Sequence, residues 1–364
     1  MREVFNEIEA WRKQGKSVAI ATNVKKDGSS LRPLGAKMAM TTSQEIAGSV
    51  TGGCIEGVVY EEAQAVIKSG ASKLMHFGLV HEDMPWEIGL TCGSSLDVFI
   101  ESMESEAWRE IYPALKDCIE KNELAVVATV IAGSGLGNKL MMWSDGRTLG
   151  SLGSAALDEQ ARAWLKKQMD VQESGWRSFS VAAHHVEHMD VFADVFAPVS
   201  RMVVIGAVHI AIPLVTLAKT LGYHTIVIDP REAFATRERF PHVDELLVEW
   251  TSDALEKIHP DEGTYIAVLS HDEKLDNPAL AIALKSPARY VGVLGTRKKI
   301  PNRFAALREL GVTDEQLSHL RAPIGMNMGA VSPEEIALSI LAEMVSAKHG
   351  IQRVSEFVPA VSIS

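Results

Sequence analysis

Hydrophobic positions in the second half of the chain gather into short unbroken runs, each followed by a helical pattern. "RMVVIG" (201–206), "HTIVID" (224–229), "YIAVLS" (265–270) and "YVGVLG" (290–295) are apolar and rich in β-branched residues. Runs of this length without polar alternation are strands covered on both faces, and strands alternating with helices make a parallel sheet. "VHIAIPLVTLAKTLG" reads as a helix stopped at Gly222. The last helix begins at "SPEEIALSILAEM", with Ser332 as N-cap, Pro333 at the first helical position and Glu335 three residues after the cap, which is a capping box. Gly350 follows its end. The pattern predicts a Rossmann-like parallel sheet over 199–350 and a peripheral tail over 351–364.

The first half is patterned differently. "MREVFNEIEAWRKQGKSVAIA" opens it as an amphipathic helix without the apolar stretch of a signal peptide. After Cys54, apolar positions 55, 58, 59, 63, 66 and 67 lie on one helix face, and Gly70 is its stop. Residues 96–100 alternate as a strand, and "WREIYPALKDCIEKN" is again helical. Short strings recur in order: "AIAT" (19–22) and "VVAT" (126–129), "KMAM" (37–40) and "KLMM" (139–142), "GSVTGGCIE" (48–56) and "GSLGSAALD" (150–158), "DVF" at 97–99 and at 194–196. This order predicts a duplicated α/β unit, with repeats 5–101 and 108–198 inside a domain spanning 1–198. The domain border is expected between Pro198 and Arg201. The overall class is α/β: an N-terminal α/β domain with an internal duplication, and a C-terminal Rossmann-like parallel sheet.

Composition narrows the function. The chain has 364 residues and a net charge of −11, which argues against nucleic acid or an anionic membrane as partner. No apolar run approaches the roughly 20 residues that span a bilayer. Three cysteines, Cys54, Cys92 and Cys118, do not make a disulfide framework or a zinc spacing, and a reducing cytoplasm is the expected setting. "HHVEH" (184–188) alternates like a strand and has no second cluster to complete a metal site.

Two of the cysteines sit in soft backbone. In "GSVTGGCIEG", Cys54 follows Gly52 and Gly53, precedes Glu56, and falls at or just before a helix start, where backbone N–H groups favour a thiolate. Cys92 lies in "GLTCGSSLDVFIE". Two soft sulfurs at loop–element junctions suit a soft or sulfur-rich ligand better than magnesium or calcium. The competing reading is a tight turn with a buried thiol. Cys118, inside a helix, reads as packing. In "DGSSLRPLGAKM", Arg32 and Lys37 are candidates to hold an anionic group, with Ser29 and Ser30 as donors; the competing reading is a solvated surface loop.

The second half carries a near match to a dinucleotide fingerprint. In "VIGAVHIA", Gly206 and Ala211 occupy the first and last motif positions, His209 lies between them, and Val208 replaces the middle glycine. Asp229 ends the second strand, where a ribose-binding acid belongs. Arg231, Arg237, Arg239, Arg297, Lys298, Lys299 and Arg303 form a basic rim suited to phosphate. His271 and Asp272 follow a strand end and would face the crevice, where an imidazole–carboxylate pair can do acid–base work or order a loop.

Taken together, "GSVTGGCIE", "GLTCG", "DGSSLRPLGAKM", "VIDPREAFATRERFP", "SHDEKLD", "YVGVLGTRKK" and "APIGMNMGAVSPEEIALSILAEM" resemble the xanthine dehydrogenase accessory proteins, the XdhC/CoxI family, from about residue 15 to 348. The resemblance implies an accessory protein, not an enzyme: a cytoplasmic chaperone that binds molybdenum cofactor (molybdopterin), assists its sulfuration and inserts it into a xanthine dehydrogenase-type molybdenum hydroxylase. It implies as partners that apoenzyme, a cysteine desulfurase and a second copy in a homodimer. Cys54 and Cys92 would then contact molybdenum or its sulfur ligands, with Gly52, Gly53 and Glu56 also at the cofactor, and basic residues the pterin phosphate. Leu31, Val208 and Ser94 stand where the family commonly has proline, glycine and glycine. Two alternatives stay open: an NAD(P)-dependent oxidoreductase using the C-terminal sheet with His271 as acid or base, and a thiol-based sulfur carrier.

Overall fold

A computed structural model describes residues 1–28, 32–78, 95–182 and 186–351. The chain forms two compact units, Met1–Pro198 and Val199–Ser364.

The first unit holds two five-stranded antiparallel sheets. After helix α1 (Phe5–Lys13) come β1 (Val18–Asp27), β2 (Lys37–Thr41), β3 (Ile46–Gly48), α2 (Glu56–Ser69), β4 (Lys73–Phe77) and β5 (Ser95–Ser102). Helix α3 (Glu106–Glu120) leads to β6 (Ala125–Ala132), β7 (Lys139–Trp143), β8 (Thr148–Ser151), α4 (Ala155–Val171), β9 (Gly175–Ala182) and β10 (Val186–Phe196). The strand orders are β3-β2-β1-β5-β4 and β8-β7-β6-β10-β9, the same path traced twice.

Side-chain alternation decides how these layers stack. Ala19, Ala21, Met38, Met40, Val98 and Ile100 meet Val59, Ala63 and Val66 of α2. Val126, Ala128, Val130 and Leu140 meet Leu157, Ala161 and Leu165 of α4. The opposite faces turn toward each other: Val24 and Phe99 touch Ile131 and Phe192, while Val18, Ile20, Val127 and Met141 share a core with α1 and α3. Cys118 is packed in that core, and burial pushes its thiol above the usual range.

Between the sheets lies a polar plug. Lys37 of the first sheet pairs with Asp194 of the second at 2.6 Å, and Lys139 of the second pairs with Glu101 of the first at 2.8 Å. Thr22 and Thr129 receive bonds from these lysines, and Lys139 also lies 4.4 Å from the centre of the Trp108 ring. Two glycines make the strand exits beside the plug. Gly48 and Gly150 have φ of 73° and 79°, and a Cβ on either would come within 2.3 or 2.5 Å of the carbonyl oxygen of Lys37 or Lys139.

The second unit is one parallel sheet of β11 (Arg201–Ile205), β12 (His224–Ile228), β13 (Glu245–Leu247), β14 (Thr264–Val268), β15 (Tyr290–Val293) and β16 (Leu320–Arg321), ordered β13-β12-β11-β14-β15-β16. That is the doubly wound order of the Rossmann fold, and it reverses between β11 and β14. Helices α5 (Ala211–Thr220) and α10 (Pro333–Lys348) cover one face. Helices α6 (Thr251–Ile258), α7 (Glu273–Lys285), α8 (Ile300–Glu309) and α9 (Asp314–Ser318) cover the other. The capping box of Ser332 and Glu335 forms as its spacing predicts.

Removing one member of a buried pair strands the other charge. Lys139→Met should therefore cost about 3–5 kcal/mol in urea unfolding, and Lys139→Met with Glu101→Leu should restore most of it. Equal losses in the single and double variants would contradict the role assigned to the pair.

Candidate functional site

Sheet register brings the strand ends that flank the first unit's motifs to one end. β1 ends at Asp27, opposite Ser95, where β5 begins; β4 ends at Phe77, opposite Leu96. β3 leaves the sheet at Gly48 toward the same end, and the chain turns through residues 49–55 into α2. Ser29, Ser30 and Cys92 lie outside the described residues, as do His184 and His185; the strands flanking 29–31 and 79–94 end at this edge.

Cys54 is exposed, just ahead of Ile55, the N-cap of α2. Gly52 and Gly53 have φ of 103° and 128°, a region closed to most side chains, and a Cβ on Gly53 would meet nothing within 4 Å. The backbone beside the thiol is therefore open. Gly70 closes α2 in the left-handed conformation.

Glu56 has a different task from the ligand contact expected of it. Its Oε1 accepts from Ser49 Oγ at 2.6 Å and from the amides of Thr51 and Gly52 at 2.9 and 2.8 Å. Its Oε2 accepts from Thr51 Oγ1 at 2.7 Å and from the amides of Gly53 and Ile55 at 2.9 and 3.2 Å. Burial alone would raise this carboxyl, but the hydroxyls and amides of Ser49, Thr51 and Gly52 outweigh it and hold it well below the usual carboxylate range. The loop's N–H groups thus converge on Glu56 and not on the Cys54 sulfur. The equivalent position in the second sheet supports this scaffold role. Asp158 accepts from Ser151 Oγ and from the Leu152 amide, both at 2.8 Å, yet Ala156 stands where the first loop has Cys54. An acid folds both loops; one of them adds a thiol. Ser49 and Thr51 were not singled out from the sequence, although hydroxyls a few residues ahead of an acid at a helix start are a recognisable capping signal.

Arg32 does reach this loop: its Nε donates to the Ser49 carbonyl at 3.2 Å, and its guanidinium pairs with Glu3. Lys37 does not. Its side chain is 2% exposed and its ammonium is engaged by Asp194 between the sheets, so it holds no external anion. The expectation failed because "KMAM" starts a fully buried strand, not a surface loop.

In the second unit, the expected residues collect at the carboxyl ends of the parallel strands, but several are already engaged. Gly206 has φ of 101°, and a Cβ there would lie 2.7 Å from the Ser270 backbone, so the loops after β11 and β14 touch. His209 is exposed ahead of α5, and Arg297, Lys298 and Lys299 are exposed after β15. Asp229 is fully buried and bonded to Arg231 and to the Ala207 amide. Asp272 caps α7 by accepting from the Lys274 amide at 3.0 Å, so it orders a helix rather than an imidazole. His271 is exposed, with a φ of 62°. Behind it, buried Asp276 accepts from Ser270 Oγ at 2.6 Å and Arg303 at 3.1 Å, and burial holds its carboxyl above the usual range. Ser270 and Asp276 are the first and last residues of "SHDEKLD", but the spacing does not show that they bond to each other and to Arg303.

Among the described residues no helix is long and apolar enough to cross a membrane. The chain is 25% identical over 349 residues to a Bacillus subtilis (strain 168) protein named as a probable xanthine dehydrogenase subunit, covering 94% of this chain and 97% of that one. It is 24% identical over 335 residues to the Escherichia coli (strain K12) molybdenum cofactor insertion chaperone PaoD, covering 92% and 84%. A crystal structure described as a xanthine dehydrogenase from Bacillus halodurans superposes with a TM-score of 0.76 at 23% identity, over 96% of this chain and 97% of that one, a likeness of fold. Residues 202–344 match the model of the XdhC Rossmann domain, and residues 11–78 match that of the XdhC and CoxI family. With both units matched by models of one family, the chain belongs to the XdhC and CoxI family.

Proposed function

We propose that this chain is a molybdenum cofactor chaperone that receives the cofactor at the Cys54 thiol and passes it to an apo xanthine dehydrogenase-type molybdenum hydroxylase. One observation carries the reading: an exposed thiol stands on open glycine backbone in a loop whose shape is fixed by Glu56, while the equivalent position of the second repeat is Ala156, in the first turn of α4. A packing cysteine has no need of that presentation. The names of the Bacillus subtilis and Escherichia coli relatives support the same assignment.

The donor set fits such a guest. The cofactor supplies a molybdenum centre held by sulfur, for which a soft thiolate is a suitable contact. Cys54 would meet the metal or its sulfur ligands, and Arg32, already against the loop, would offer its charge to the phosphate of the pterin. Cys92 belongs to the same reading as a second sulfur contact. Gly52 and Gly53 keep the approach clear, and Glu56 maintains the loop without touching the guest. Assistance with sulfuration, a cysteine desulfurase as sulfur source, a homodimer and a cytoplasmic setting complete the proposal. The protein itself performs no turnover in it.

The full chain, purified from cells that make the cofactor, should carry pterin and molybdenum. Cys54→Ala should lower both by about tenfold or more, the scale of losing a tuned metal contact, while its thermal midpoint stays unchanged. Equal loading of Cys54→Ala and wild type would remove the thiol from the site.

Glu56→Gln should weaken both loading and folding, by about 1–3 kcal/mol in the urea transition at pH 7, because the loop's six donors lose their ionised partner. The Glu56 carboxyl is depressed in the fold, so its contribution is fully present above the unfolded carboxyl value of about 4.3 and fades as pH falls below it. The stability gap between wild type and Glu56→Gln should therefore be smaller at pH 3 than at pH 7. An unchanged or wider gap would contradict the ionised contact.

A further inference from the structure

The doubly wound fold implies a ribose-binding acid at the end of its second strand, and in this chain the residue there is Asp229. Its carboxylate is already full. Oδ1 accepts from the Arg231 amide at 2.9 Å and from Arg231 Nε at 2.8 Å; Oδ2 accepts from the Ala207 amide at 2.8 Å and from Arg231 Nη2 at 2.6 Å. A carboxylate has room for about four donors, and each is supplied by the chain. Burial alone would raise this carboxyl, but the Arg231 side chain and amide and the Ala207 amide pull it below the usual range. A ribose diol recognises such an acid by donating to it, and no acceptor is left. Val208 also stands where a glycine would let a pyrophosphate approach. Asp229 therefore does not fit a ligand that must donate a free ribose 2′-hydroxyl to it.

The same contacts build a different surface. Arg231 commits Nε and Nη2 to Asp229, and its side chain remains 37% exposed. Its guanidinium lies 4.2 Å from the centre of the Phe234 ring, and that ring is 40% exposed. Arg239 approaches the same ring at 5.5 Å, while its Nη1 donates to the carbonyls of Ala207 and Phe234 at 2.8 and 2.5 Å. Two guanidiniums thus share one phenyl ring; Arg231 feels Asp229 directly and Asp272 and Asp276 from the loop and helix after β14. The other acids of the segment, Glu232 and Glu238, are exposed, and Glu238 is turned onto Thr236 and its own amide. Guanidinium N–H groups only donate, so they suit an acceptor-only oxyanion better than a hydroxyl, whose proton they leave without an acceptor.

We infer that this end of the crevice is a receptor for a phosphomonoester, and that Arg231, held by Asp229, makes the C-terminal unit select ligands carrying a phosphate where NAD carries a free ribose 2′-hydroxyl. Asp229 is a positioning residue in this arrangement. The inference concerns the second unit alone and does not depend on the role of Cys54.

Calorimetric titration of the full chain with adenosine 2′,5′-bisphosphate and with adenosine 5′-monophosphate isolates the added phosphate. The bisphosphate should bind about tenfold tighter or more, the worth of one charge-assisted contact. Arg231→Gln should erase that preference. Arg231→Lys keeps the counter-charge to Asp229 but loses the fork, so it should remain folded by thermal melting and keep only a small part of the preference. Equal affinities, tighter binding of the monophosphate, no saturable binding of either ligand, or full preference in Arg231→Lys would each overturn the inference.

Discussion

The carboxylate of Glu56 is the contact on which the thiol site depends. Two glycines in the left-handed region and a run of unpaired amides do not hold a shape by themselves; their entropy favours many shapes. A single ionised side chain, accepting from six donors at Ser49, Thr51, Gly52, Gly53 and Ile55, selects one. The consequence is chemical as well as structural. The amides are satisfied internally, and the thiol beside them stays exposed. In the proposed function the loop presents sulfur, with the helix start as its mount.

The scaffold beneath that loop uses buried charge in the same way. The plug between the sheets places a lysine from each sheet against an acid from the other. Such pairs contribute little net stability compared with an apolar core, but removing one member strands a buried charge. The strand exits at Gly48 and Gly150 rest against the carbonyls of those same lysines. Loop geometry at the thiol is thereby tied to sheet alignment through a few residues.

Much of the fold was legible in the sequence. Unbroken apolar runs ending in glycine or acid marked the parallel sheet, and Gly70, Gly222 and the Ser332 capping box marked helix ends that the structure contains. The helix start after Cys54 was legible too. Lys37 was not, because a lysine that begins a strand looks like a loop residue until its partner is known, and Asp194 lies in another sheet. Asp229 shows the same limit in another form. Its position at a strand end could be read from spacing, but its saturation by Arg231 and the Ala207 amide depends on side-chain direction, which spacing does not encode. Glu56 lay in plain view, and its role was missed because six donors from one short loop is a property of curvature.

Alkylation of wild-type chain by iodoacetamide, followed residue by residue by mass spectrometry with and without bound molybdenum cofactor, tests the central claim most directly. The account predicts rapid modification of Cys54 in the empty protein and strong protection once the cofactor is bound, with Cys118 unreactive in both states. Rapid and equal modification of Cys54 in the empty and loaded protein would contradict it.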